Sequence, residues 1–254
     1  MKVKAIFRII ICTILLIVLS SILCTGLILV RYIQGGPTGE TSTQVMEVDS
    51  WGLSNLEIEW AAGTITIMRG PKLGTIIIKE TKSVDNHCSL SKYIDKNTLE
   101  IIYGEPGLDS ASYSGKELVI IVPSNWSCDQ LEINGAALKI DIDGVYVNDF
   151  ELNGAAHQLT FKGRLGDLDA EGAGMKLDLY PSTGPSHVTV EGMGCILNVN
   201  LPDVRGFDVT LEGLGVSFES EANYNKNRNH YTYGNENCKI DVSGLGCKVS
   251  VDPS

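Results

Sequence analysis

LEINGAALKIDI (131–142) decides the fold, because five further segments of the chain align with it without gaps. They are FELNGAAHQLTF (150–161), LDAEGAGMKLDL (168–179), VTVEGMGCILNV (188–199), VTLEGLGVSFES (209–220) and IDVSGLGCKVSV (240–251). We number these segments repeats 1 to 6 in chain order. Each has a glycine at its fifth position, and the residue two places later is always glycine or alanine. Internal similarity of this kind is typical of repeat proteins.

Apolar residues recur at the first, third, eighth, tenth and twelfth positions of the repeats, with few exceptions. This alternation on both sides of the glycine predicts two half-buried strands joined at a tight corner. A single repeat cannot bury its own apolar face, so like positions must stack about 4.8 Å apart. The sequence therefore predicts an all-β fold, a single-stranded β-solenoid of the parallel β-helix or β-roll type, with 18–21 residues in most turns.

The predicted solenoid domain spans residues 45–252. LEIEWAAGTITI (56–67) fits the repeat frame with Trp60 at the corner. Further strands are predicted at 75–80, 99–103 and 118–122, and loops at 83–98 and 104–116.

Residues 9–30 form an uncharged segment of 22 residues, long enough for a transmembrane helix. Three basic residues precede it and only Arg31 lies close after it. The sequence therefore predicts a single-pass cell-membrane protein with residues 1–8 in the cytoplasm and the C-terminal domain outside. Residues 31–44, rich in Gly, Thr and Ser, predict a flexible linker. A cleaved signal peptide is the alternative, although the apolar segment is longer than usual and lacks a clear cleavage site.

Charge and cysteine content exclude several functions. After Arg31 the chain holds 31 acidic and 16 basic residues, a balance that disfavours nucleic acid. Five cysteines follow the apolar segment without the spacing of a metal site. Cys195 and Cys247 share a column, but stacking in chain order would place Val216 between them. Their Cα atoms would then lie about 10 Å apart, beyond the reach of a disulfide, so free thiols are predicted.

No pattern in the sequence indicates catalysis, and the prediction is a protein without enzyme activity, cofactor or metal. His157 falls in an inward column and is predicted to be a neutral core histidine. The recurring Gly-x-Gly marks the corners, since a dinucleotide fingerprint would occur once and precede a helix. Acidic residues form two outward columns: Glu132, Glu151 and Asp169, and Glu171, Glu191 and Glu212. A divalent cation or plain solvation could accommodate them.

One spacing in the repeat is irregular. The fifth-position glycines are 19, 18, 20, 21 and 31 residues apart, and the excess falls in ANYNKNRNHYTYGNEN (222–237). Tyrosine and asparagine are favoured in binding loops. A partner-binding loop is therefore predicted, and a surface insertion without function is the alternative. The predicted contact residues are Tyr224, Arg228, His230, Tyr231 and Tyr233.

KELVIIVPSNW (116–126), leading into repeat 1 and the later glycine-centred repeats, resembles the bacterial putative adhesin domain family of unknown function. The resemblance covers roughly residues 45–252. It implies a surface or envelope role behind one membrane helix, with a protein or polysaccharide ligand and no catalytic residues. Two alternatives are an accessory subunit of a membrane envelope-stress signalling system and a carbohydrate-active enzyme. The enzyme needs clustered charged groups, whereas Lys139, Lys176 and Lys248 lie in separated repeats.

Overall fold

The computed structural model describes residues 40–86, 88–103, 115–202, 206–235 and 237–253. The predicted transmembrane helix and most of the predicted linker lie outside these ranges. Among the described residues, no helix has the length and apolar character needed to cross a membrane.

The described part of the chain is all-β. Its strands are β1 Thr41–Asp49, β2 Asn55–Gly70, β3 Thr75–Ser83, β4 Ser91–Asp95, β5 Thr98–Ile102, β6 Lys116–Pro123, β7 Cys128–Ala155, β8 Gln158–Ala173, β9 Lys176–Thr183, β10 His187–Met193, β11 Ile196–Leu201, β12 Phe207–Leu214, β13 Ser217–Glu219, β14 Asn225–Asn227, β15 His230–Tyr233, β16 Cys238–Leu245 and β17 Lys248–Pro253. They belong to one mixed sheet of 17 strands.

Parallel pairing stacks the repeats with their predicted positions in register. Repeat 3 pairs with repeat 4 through Leu168 and Val188 before the corner, and through Leu177 and Leu197 after it. The apolar columns face inward and are buried in repeats 1, 2, 3, 4 and 6. The predicted inward and outward assignment is therefore confirmed. In repeat 5, Val216 and Phe218 are only partly buried, because this repeat lies at the end of the stack.

The order of the repeats in the stack differs from their order in the chain. β16 of repeat 6 pairs with β10 of repeat 4 on one side and with β12 of repeat 5 on the other, so Gly244 lies opposite both Gly192 and Gly213. The stack therefore runs 1, 2, 3, 4, 6, 5. The expectation of stacking in chain order is wrong for the last two repeats. The long connection between them gives the chain enough length to return and insert repeat 6.

The segment before repeat 1 joins the stack as predicted. β2 pairs with β7 so that Leu56 lies opposite Leu131, and Trp60 lies opposite Gly135 at the corner. The predicted strands at 75–80, 99–103 and 118–122 correspond to β3, β5 and β6. The prediction of a loop at 83–98 is wrong for β4, which lies within that range and forms an antiparallel hairpin with β5. β1 begins at Thr41, within the predicted linker, because it pairs along its whole length with β3.

A buried ion pair lies where β3 and β6 close the N-terminal end of the stack. Lys116 Nζ is 2.8 Å from Glu80 Oε1, and both side chains are almost fully buried. The ammonium also donates to the Tyr103 carbonyl at 2.6 Å and lies 4.0 Å from the centre of the Tyr103 ring. Burial lowers the pKa of Lys116, against the raising effect of Glu80. Each charge therefore has a partner, and neither is buried unpaired.

His157 occupies the inward column that the sequence indicated. Its side chain is buried, and its Nε2 lies 3.1 Å from the carbonyl of Asn153. Burial lowers the pKa of His157. The imidazole is therefore neutral at pH 7 and serves as part of the core.

Candidate binding surfaces

The segment predicted as a partner-binding loop, 222–237, contains a β-hairpin. β14 and β15 pair antiparallel, and β15 in turn pairs antiparallel with β12 of repeat 5. The hairpin thus occupies the edge of β12 that does not face repeat 6. The backbone groups of an unpaired edge strand can pair with another chain. By pairing with β12, the hairpin covers this edge of repeat 5.

Aromatic side chains hold the hairpin to the end repeat. The ring of Phe218 lies 4.5 Å from the ring of Tyr231 and 5.1 Å from that of Tyr224, and Phe207 lies 5.6 Å from Tyr233. Tyr231 is buried, and the other two tyrosines are partly buried against the core. The three predicted tyrosines therefore cover the apolar face of repeat 5.

The other two predicted contact residues are accessible. Arg228 is exposed in the turn between β14 and β15, where its φ is 56°. His230 is partly exposed, and its Nε2 lies 2.5 Å from Asp208 Oδ1 on the neighbouring strand. The structure thus divides the predicted site into a packed aromatic side and an outward polar side.

A second polar group lies on the same outward face, and the sequence analysis did not identify it. Asp241 Oδ2 is 2.9 Å from His187 Nε2 and 2.6 Å from Lys239 Nζ. Partial burial alone would raise the pKa of Asp241, but the hydrogen bonds and charges of Lys239 and His187 lower it. Lys239 lies opposite Asp208 across the ladder, so the two polar groups adjoin. Because His187 and Asp241 are 54 residues apart in the chain, only the insertion of repeat 6 brings them together.

The first acidic column is longer than the sequence indicated. Glu57 lies between Glu100 and Glu132 on adjacent strands. Glu151 of repeat 2 continues the column beyond Glu132. The Asn153 side chain donates to that of Asn134 at 3.1 Å, which shows that repeats 1 and 2 lie side by side here. Partial burial, and then the charges of Glu132 and Glu100, raise the pKa of Glu57.

The second predicted acidic column is interrupted. Ser243 of repeat 6 lies between Glu191 and Glu212, so these two glutamates are not on adjacent strands. The predicted continuous column of three is therefore wrong, and the inserted repeat is the reason. Within the described ranges, no three His, Cys, Asp or Glu side chains group in a way that could hold a metal ion.

Glu57→Gln is expected to stabilise the fold at pH 7. A carboxyl whose pKa is raised on folding opposes folding once it is ionised, so the amide should gain about 0.2–1 kcal/mol at low salt. The gain should vanish near pH 3.5, where Glu57 is protonated in both states. Thermal unfolding followed by circular dichroism at the two pH values measures the difference.

Glu117→Gln is the matched control for that substitution. Glu117 lies opposite Thr64 and Thr81, with no carboxylate directly across either ladder. We expect no comparable gain from it. An equal gain from Glu57→Gln at both pH values would contradict charge repulsion as the cause.

A shallow groove follows the corners of repeats 2, 3, 4 and 6. Its floor consists of the corner glycines, and its sides include Glu171 and Glu191 on one side and Ala173, Met193 and Leu245 on the other. Met193 and Leu245 are 56% and 48% exposed. The groove exists because no side chain fits at the glycine column.

Comparison with known proteins shows the fold. No protein-family model matches the chain, and no curated protein matches its sequence. The crystal structure of a putative cell adhesion protein from Clostridium sporogenes superposes with a TM-score of 0.52 at 15% identity, covering 85% of this chain and 100% of that one. A putative adhesin from Bacteroides fragilis gives 0.50 at 8% identity, covering 85% and 99%. The described chain therefore has the fold of these bacterial proteins.

Proposed function

We propose that this protein is a membrane-anchored cell-surface or envelope protein whose C-terminal domain is a non-catalytic, adhesin-like β-solenoid that binds a partner. Residues 9–30 are the transmembrane helix and residues 1–8 stay in the cytoplasm. The partner is a protein or polysaccharide of the envelope or of a host. The observation that carries the proposal is the stack of six repeats in register, whose inward columns form a continuous core behind long outward faces.

A stack of this kind is a rigid scaffold for binding. Each repeat is fixed to its neighbours by a parallel ladder, so side chains on the outward face hold constant spacings. Polar side chains at fixed positions bind a ligand with little loss of conformational entropy. The fold shared with two putative adhesins supports this interpretation by analogy.

The described residues lend little support to the alternative of a carbohydrate-active enzyme. Lys139, Lys176 and Lys248 are separated in the stack by Gln158 and Ile196. Their cationic groups therefore do not converge on one point of the sheet face, as charge stabilisation at a reacting centre requires.

Protease added to intact protoplasts is expected to remove the C-terminal domain from the cells. Cleavage after about residue 34 should occur because the proposed topology places the linker outside. Immunoblotting for a C-terminal tag measures the loss. A cytoplasmic marker protein is the control for intact membranes, and full protection of the tag while the marker is also protected would contradict the proposed topology.

Arg228→Ala combined with His230→Ala is expected to reduce capture of the partner by about tenfold or more, if the hairpin is the binding surface. Both side chains point outward, so the aromatic packing of the hairpin should remain and the thermal unfolding midpoint should change little. Formaldehyde cross-linking in intact cells, followed by identification of the captured molecule, provides the measurement.

The matched control is Arg164→Ala, which removes an exposed arginine from the middle of the stack. It should leave capture unchanged. Undiminished capture by the double variant would assign the hairpin a capping role alone. A captured membrane regulator, in place of a wall polymer or surface protein, would favour the signalling-subunit alternative.

A further inference from the structure

The insertion of repeat 6 brings Cys195 and Cys247 onto neighbouring strands. Ile196 pairs with Lys248 in the ladder between β11 and β17, and the backbone N–H of Lys248 donates to the carbonyl of Cys195 at 2.8 Å. Residues opposite each other on paired strands have Cα atoms about 4.8 Å apart, within the 4.4–6.8 Å that a disulfide spans. The predicted separation of about 10 Å is therefore wrong, because no repeat lies between them.

The two thiols lie at equivalent positions of neighbouring strands and have the same orientation. Cys195 Sγ lies 3.7 Å from the carbonyl of Gly172, and Cys247 Sγ lies 3.5 Å from that of Gly192, the equivalent corner glycine one repeat further along. Both side chains are about 1% exposed. Burial, and next to it the neighbouring Cys247 thiol, raises the pKa of Cys195 to about 11. In this structure both are thiols.

The other described cysteines have different surroundings. Cys88 Sγ donates to the carbonyl of Tyr103, and Cys128 Sγ donates to that of Gln130, both near the N-terminal end of the stack. Cys238 begins β16 and lies opposite Phe207. Among the described residues, only Cys195 and Cys247 face each other across a strand ladder.

We propose that Cys195 and Cys247 are the site of a disulfide that fastens the inserted repeat 6 to repeat 4. Formation joins the two Sγ atoms and releases two protons and two electrons. The oxidant is a disulfide, either a small molecule or a thiol-exchange protein, which is reduced to two thiols. The inference does not depend on the proposed binding function.

Burial determines when the bond forms. In the folded stack neither sulfur is accessible, so the exchange occurs while repeat 6 is still undocked. Cys195 first forms a mixed disulfide with the oxidant. Docking of β17 beside β11 then brings the Cys247 thiolate onto the Cys195 sulfur, and the oxidant leaves as its second thiol. The bond closes a loop of 51 residues between the two cysteines and so disfavours release of the inserted repeat.

The test uses the full chain in detergent micelles, refolded from denaturant with a mixture of oxidised and reduced glutathione. Free thiols are then alkylated under denaturing conditions, and unreduced peptides are analysed by mass spectrometry. We expect one cross-linked peptide pair containing Cys195 and Cys247, with Cys88, Cys128 and Cys238 alkylated. Alkylation of both Cys195 and Cys247 in the refolded protein would overturn the proposal, as would preferential linkage of either to another cysteine.

Unfolding gives a second, independent measurement. Reduction of the oxidised protein in denaturant, followed by refolding with the reductant present, should lower its thermal midpoint by about 8–16 °C, from the loop-closure estimate and the usual size scaling. Cys195→Ala and Cys247→Ala should each lower the midpoint of the oxidised protein about as much as the double variant does, because either one removes the bond. If the two single effects add in the double variant, and the wild type refolded with reductant has the same midpoint as the oxidised protein, the two thiols are unlinked and the proposal fails.

Discussion

Replacing Leu177 with aspartate is expected to unfold the central repeats. Leu177 is fully buried between Leu159 and Leu197 of the neighbouring repeats. An aspartate there would have no partner for its charge, and protonation to avoid the charge would still leave a buried polar group. The expected cost is about 5 kcal/mol or more, comparable with the whole stability of an ordinary domain. Urea unfolding followed by circular dichroism measures the loss.

Two substitutions serve as controls for the Leu177 prediction. Leu177→Ala keeps the site apolar and should cost about 2–5 kcal/mol. Lys176→Asp changes the adjacent, outward residue and removes a partly exposed ion pair with Asp178, so it should cost about 1 kcal/mol or less. Equal losses from Lys176→Asp and Leu177→Asp would mean that the inward and outward assignment is wrong.

Gly172→Ala is the second substitution expected to have a large effect. A Cβ atom at Gly172 would lie 1.6 Å from the carbonyl oxygen of Gly154 in the repeat before it. Since that oxygen belongs to the backbone of a packed corner, the two repeats would have to separate. The φ of Gly172 is also +155°, a backbone conformation that residues with a side chain rarely adopt. We expect a loss of about 3 kcal/mol or more, seen as a lower urea midpoint.

Gly194→Ala is the matched control, since it makes the same change at a corner two positions after the glycine column. Gly194 has a φ of +64°, and nothing lies within 4 Å of the position of its Cβ. Ala156 occupies the equivalent position of repeat 2 with a φ of 59°. The loss of stability should therefore be only the free energy needed to hold an alanine at a positive φ, about 1–2 kcal/mol. A loss as large as that of Gly172→Ala would show that close approach between repeats is not what requires the glycine column.

Surroundings that depend only on a residue's column in its own repeat were predicted correctly. Surroundings that depend on which repeats are neighbours were not. The burial of His157 followed from its place in a column and is confirmed. The separation of Cys195 from Cys247 depended on which repeat lies next to which, and it is wrong. The contacts of Asp241 with His187 and Lys239 also depend on that order. They could not be predicted, because no local signal connects residues so far apart in the chain.

The hairpin at 222–237 shows the same limit. Its composition predicted a binding loop, because tyrosine and asparagine are typical of binding loops. Tyr231 is instead buried against Phe218. The end of a stack leaves one apolar face uncovered, and aromatic side chains nearby cover it. Only a structure identifies which repeat forms that end.

For the six repeats, the sequence by itself determined the strands, the corners and the register within the stack. Each repeat carries its own alternation of apolar residues and its own corner glycine, so a shift of one residue would turn the whole inward set to solvent. The tertiary structure alone decided the order of the repeats. All six share one frame, so any of them can pair with any other at nearly equal local energy. The order then depends on the long connection, on the hairpin that covers repeat 5, and on which repeat tolerates partial exposure. Repeat 5, with Ser220 in an otherwise apolar column, lies at the end, and repeat 6, with Val251 at that position, is buried within the stack.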